Sequence, residues 1–78
     1  MTVEILTPEK KLYSGEAKAV QCPGVAGSFQ VLDHHAPLIS ALKEGILKVD
    51  DAKGSQKFTI KTGFVEVLNN KVTVLLKV

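Results

Sequence analysis

The sequence predicts an all-β domain, a sandwich or flattened barrel of short strands, on three observations. Apolar residues recur at every second position in several runs, and turn-forming residues punctuate those runs at short intervals. Helix is hard to place: the best helical spacing, Leu38, Leu42 and Ile46, is interrupted by Gly45, and a helix shorter than about 12 residues is marginal without strong packing.

Taken in order, "TVEIL" (Thr2 to Leu6) shows the alternation at the start, and "TPEK" (Thr7 to Lys10) is a turn. From Tyr13 to Cys22 the parity breaks. Ala17 and Ala19 occupy odd positions and Val20 and Cys22 even ones, which predicts a β-bulge or bend near Ala19. "CPGVAG" (Cys22 to Gly27) is the next turn, with proline fixing its entry and glycines supplying the backbone freedom.

"APLISAL" (Ala36 to Leu42) is apolar on both alternating faces. Such a strand either crosses centrally between two sheets or has its second face covered by another chain. "KEG", "DDAKGS", "TG" and "NN" mark further turns. In "KFTIK" Phe58 and Ile60 face one way and Lys57, Thr59 and Lys61 the other. "KVTVLLKV" sets Val72, Val74, Leu76 and Val78 against Lys71, Thr73, Leu75 and Lys77, so that Leu75 interrupts an otherwise polar face.

A chain of 78 residues is one small domain, residues 1–78, without room for a second core. Its single cysteine, Cys22, excludes an intramolecular disulfide and fits a reducing compartment. Ten lysines against eight acidic residues give a formal charge of +2, and arginine is absent. The lysines are scattered as solvated strand faces, which argues against nucleic acid as a partner. No apolar run approaches the roughly 20 residues of a membrane span, and the start lacks a secretory signal pattern. The expectation is a chain without direct membrane insertion, bacterial or organelle-encoded, that meets a membrane only through a partner.

Convergent chemistry is missing. Cys22 with His34 or His35 has the elements of a nucleophile and base, but it sits at the end of an apolar strand where a buried, inert thiol is expected. Asp33, His34 and His35 are consecutive, so on a strand they diverge and cannot share one metal ion. The glycines of "GVAGSF" lack the lysine and hydroxyl of a phosphate loop. Asp50 and Asp51 read as turn-formers. The sequence therefore predicts no catalytic residue, no cofactor and no metal.

The ordered combination "CPGVAGSFQVLDHHAPLISALKEGILKV", flanked by "VEILTPEKKLYSGEA" and "TGFVEVLNNKVTVL", closely resembles the N-terminal β-domain of the ATP synthase epsilon subunit. The resemblance covers essentially the whole chain. It implies a flattened antiparallel β-sandwich or barrel of about eight to ten short strands, in the rotating central stalk of a proton-translocating ATP synthase. Such a domain does no chemistry; it joins the ring of c subunits to the gamma shaft, peripheral to the inner membrane on its cytoplasmic side in a bacterium.

By position, the resemblance places Gly24, Gly27 and Ser28 in the loop that meets the c ring. It places His35, Ala36, Pro37 and Leu38 in an element that meets gamma and supports that same end, so His35 serves both partners. Where many relatives carry acidic residues in the Pro-Gly loop, Val25, Ala26 and Ser28 stand here, and Asp33 is the candidate to supply the missing charge. Many relatives also continue into a C-terminal two-helix domain that inhibits hydrolysis. The expectation is that this domain is absent here, as in a naturally short form. The alternative is a lipoyl or biotinyl carrier domain of similar architecture, for which Lys53 and Lys71 are the tip candidates; neither has the Met-Lys-Met or Asp-Lys-Ala surroundings of those families.

Overall fold

The computed structural model describes residues 1–77, in which all regular structure is strand. Eight strands follow one another: β1 (Thr2–Leu6), β2 (Lys11–Gly24), β3 (Gly27–Leu32), β4 (Leu38–Leu42), β5 (Gly45–Asp51), β6 (Gly54–Ile60), β7 (Thr62–Leu68) and β8 (Lys71–Lys77). They form one hydrogen-bonded sheet in the order β1-β8-β7-β4-β2-β5-β6, with β3 and β1 both also paired to β2. Val78, expected on the inward face of the last strand, lies outside the described residues.

The 14-residue β2 explains how one sheet becomes a sandwich. Its first half, Lys11 to Glu16, pairs with β1, and its second half, from Ala19, lies between β3 and β5. The sheet is thereby folded into two layers, β1-β8-β7-β4 and β3-β2-β5-β6, in a body of 26 × 24 × 19 Å. One pairing departs from the antiparallel expectation: β1 and β8 run parallel, Val3 beside Val72 and Ile5 beside Val74. These strands are the first and last of the domain, so no hairpin turn dictates their relative direction.

Alternation does the rest. Val3, Ile5, Val65, Val67, Val72, Val74 and Leu76 of one layer meet Val20, Cys22, Val31, Leu47, Val49 and Ile60 of the other in a single core. The predicted bulge is present. Against β5, Ala17 pairs with Asp51 and Ala19 with Asp50, leaving Lys18 unmatched. The extra residue resets the parity, so that Ala17 before the bulge and Val20 and Cys22 after it turn into the core, while Ala19 lies on the outer face beside Leu32.

The turns follow local chemistry. Asn69 and Asn70 both adopt left-handed angles, φ 51° and 59°, as a two-residue hairpin between right-twisted strands requires. Gly24 pairs with Gly27 around Val25 and Ala26. A Cβ on Gly24 would lie 2.7 Å from the Gly27 carbonyl oxygen and 2.8 Å from the Phe29 ring, so this tight tip needs the bare backbone. "TG" proves not to be a turn. Thr62 and Gly63 lie within β7, where a Cβ on Gly63 would collide with the Leu75 carbonyl, and the chain bends at Lys61 instead. Glycine there serves close strand packing.

Candidate partner interface

Strand β4 pairs with β7 along its length but touches β2 only where Leu42 meets Gly24. Its inward side chains are Leu38, Ser40 and Leu42, and its outward ones Ile39 and Ala41. Ile39 is 74% exposed. Of the two readings of this two-faced apolar strand, the doubly covered central strand is therefore excluded within the chain itself, and the outer face is bare.

Register extends that face across the layer. Ala41 stands beside Phe64, Phe64 beside Leu75, and Leu75 beside Leu6. Phe64 is 58% and Leu75 53% exposed. Four strands thus contribute one apolar row, with Ile39 next to it. Leu75, unremarkable as a single exposed leucine, is part of a contiguous surface. Phe64 belongs to it too and was not singled out from sequence, although its parity opposite Val65 and Val67 placed it outward.

The sequence-predicted residues fall into two groups. Gly24, Gly27 and Ser28 come together at the β2–β3 hairpin tip, anchored to the far end of β4 by Val25 N–H donating to the Ala41 carbonyl (3.1 Å) and Lys43 N–H donating to the Pro23 carbonyl (2.9 Å). His35, Ala36, Pro37 and Leu38 come together at the opposite ends of β3 and β4. At about 3.3 Å per residue the two groups are roughly 13–17 Å apart. The expectation that they share one end of the domain, with His35 belonging to both, is not met.

Local bonds shape the second group. His35 N–H donates to the Leu32 carbonyl (3.1 Å), and its Nδ1 lies 2.7 Å from the Ala36 carbonyl oxygen. Ala36 and Pro37 are exposed, while Leu38 packs against the core. His34 takes a left-handed angle, φ 61°, and its N–H donates to Asn70 Oδ1 at 2.7 Å. It is thus a bend residue tied to the β7–β8 turn. Asp33 lies beyond the end of β3 remote from the glycine loop, and its carboxylate accepts from the Met1 amine at 2.6 Å. That amine holds the Asp33 carboxyl below its ordinary range. Asp33 cannot supply charge to the loop.

Reactive groups do not converge. Cys22 is fully buried, and burial pushes its thiol up to about 12, so at neutral pH it stays protonated and inert. Among the described residues no three His, Cys, Asp or Glu side chains are placed to hold a metal ion. Tyr13 donates to Asp51 Oδ2 at 2.7 Å. Loss of solvent and that carboxylate push the phenol up to about 12, while the Tyr13 hydroxyl holds Asp51 below the usual carboxylate range. Of the two carrier-type lysines, Lys71 is ion-paired with Glu4 at 3.2 Å.

One folded sheet in two layers, with a bare apolar row on the outside of one of them, defines a small β-sandwich. The family described as ATP synthase, Delta/Epsilon chain, beta-sandwich domain matches residues 1–78, and the chain belongs to that family. It is 45% identical over 75 residues to the ATP synthase epsilon chain of Chlorobaculum tepidum, covering 95% of this chain and 85% of that one. It is 41% identical over 73 residues to the epsilon chain of Pelotomaculum thermopropionicum, covering 94% of this chain and 54% of that one. The chain thus spans about half the length of the second relative and most of the first.

Solved structures share the fold. A chain of the Euglena gracilis mitochondrial ATP synthase, in a structure of OSCP, F1 and c-ring, superposes with a TM-score of 0.88 at 21% identity, over 95% of this chain and 48% of that one. A chain of the Tetrahymena thermophila mitochondrial ATP synthase central stalk and c-ring gives 0.84 at 18% identity, over 99% and 63%.

Proposed function

We propose that the chain is a non-catalytic central-stalk subunit of a proton-translocating ATP synthase, coupling the c-subunit ring to the gamma shaft. The observation that carries this reading is the bare apolar row on β1-β8-β7-β4 in a domain whose relatives are named ATP synthase epsilon chain. Contiguous exposed apolar surface marks a site that a partner covers. Gamma is the proposed cover.

His35, Ala36, Pro37 and Leu38 extend this contact at the start of β4. Pro37, Leu38, Ile39 and Glu66 line one shallow cleft of about 420 Å³, so the element is continuous with the apolar face. The β2–β3 tip, with Gly24, Gly27 and Ser28, is the proposed contact with the c ring. Val25 and Ala26 leave that tip uncharged, so its contacts would rest on backbone hydrogen bonds and shape. The proposed location is peripheral, at the cytoplasmic side of a bacterial inner membrane within the complex. No helix among the described residues is long and apolar enough to cross a membrane.

The test is co-elution of the purified chain with the matching gamma subunit. The native chain is expected to form a complex, and Ile39→Asp, placed at an exposed position, to elute alone while keeping its β circular-dichroism spectrum. A native chain that never associates with gamma overturns the reading.

A further inference from the structure

The apolar face is not uniformly apolar. Glu66 is the outward residue of β7 between Phe64 and Leu68, and in register it stands beside Ile39 on one side and Thr73 on the other. It is exposed, and among the described residues no salt bridge or side-chain hydrogen bond reaches it. Glu4, the acidic residue further along the same row, is instead held by Lys11 at 3.0 Å and Lys71 at 3.2 Å. A carboxylate surrounded by Ile39, Phe64, Leu68 and Leu75 loses its water if a partner covers those side chains, and the loss is costly unless the partner brings a cation.

We infer that Glu66 is the charged anchor of this face and selects a partner that presents a lysine or arginine inside an apolar patch. The inference rests on the central-stalk reading, with gamma as the partner. Charge complementarity at one point gives an otherwise featureless apolar contact its register, because sliding by one strand would bury Glu66 against hydrocarbon.

Binding of the 78-residue chain to gamma, measured by titration calorimetry at two salt concentrations, tests this with Glu66→Gln, Glu66→Lys and, on the opposite face, Lys57→Gln. The isosteric Glu66→Gln is expected to weaken binding about thirtyfold or more and to flatten its salt dependence. Glu66→Lys is expected to abolish binding, and Lys57→Gln to leave it unchanged. Equal affinity of the native chain and Glu66→Gln overturns the anchor and leaves gamma as the partner. No binding by the native chain overturns the central-stalk reading, and the anchor with it.

Discussion

Across β4, β7, β8 and β1 the outward side chains in one register row are Ala41, Phe64, Leu75 and Leu6, whereas across β3, β2, β5 and β6 a corresponding row reads Gln30, Gln21, Lys48 and Lys57. Both rows sit on the same kind of pleat, and both back onto the same core. Folding requires only the inner faces to be apolar. The contrast between the outer faces is therefore not a folding requirement. The proposed contact with gamma accounts for the continuous apolar row, whereas the exposed Leu32 and Ile46 of the other layer lie outside its polar row.

The largest expected effect concerns what the layers share. Leu42→Ala in one layer and Leu47→Ala in the other should each cost about 2–5 kcal/mol in urea unfolding, because both side chains are fully buried in one cluster. A loss at only one of them would show that the layers do not share a core. Outward substitutions separate the faces next. Phe64→Ser and Gln21→Ser should both leave stability within about 0.5 kcal/mol, yet only Phe64→Ser should weaken gamma binding, by about tenfold or more. Equal binding losses would erase the contrast.

Where the layers meet, Tyr13 of β2 reaches Asp51 of β5. Tyr13→Phe should cost about 1 kcal/mol near neutral pH for this partly exposed bond. The phenol is raised in the folded chain to about 12, so its contribution is complete below its ordinary value of about 10 and fades as pH climbs towards 12. Asp51 is lowered, so its contribution holds above the ordinary carboxylate range and fades as pH falls below it. Chemical unfolding from pH 9 to 12 should therefore bring the native chain and Tyr13→Phe together. The smallest effect lies on the polar face. Lys48 and Lys57 stand directly opposite each other, and Lys57→Glu should stabilise the chain by about 0.2–1 kcal/mol at low salt, a gain that fades as salt is added.

Much of the fold was legible because it is local. Period-two runs such as "KFTIK" and the parity break near Ala19 report directly which side of a strand is buried. What was not legible depends on registers between distant strands. Nothing in "TVEIL" or "KVTVLLKV" says that these strands run parallel, and Gly63 looks the same in sequence whether it turns the chain or lets another backbone approach. The apolar row was visible only in fragments, as Ile39, Ala41 and Leu75, because four strands must be aligned before they touch. The placement of His35 away from the glycine loop likewise needed the direction of β3 and β4.

The parallel pairing of β1 with β8 also governs when the domain can form. Strand β1 sits between β2 and β8, so a ladder on one of its sides is missing until the last strand has been synthesised. Closing so distant a pair is slow, because most of the entropy is lost before the contacts reward it. Until β8 arrives, the side of β1 that carries its parallel ladder is an unpaired strand edge, the kind of edge open to pairing with a wrong strand.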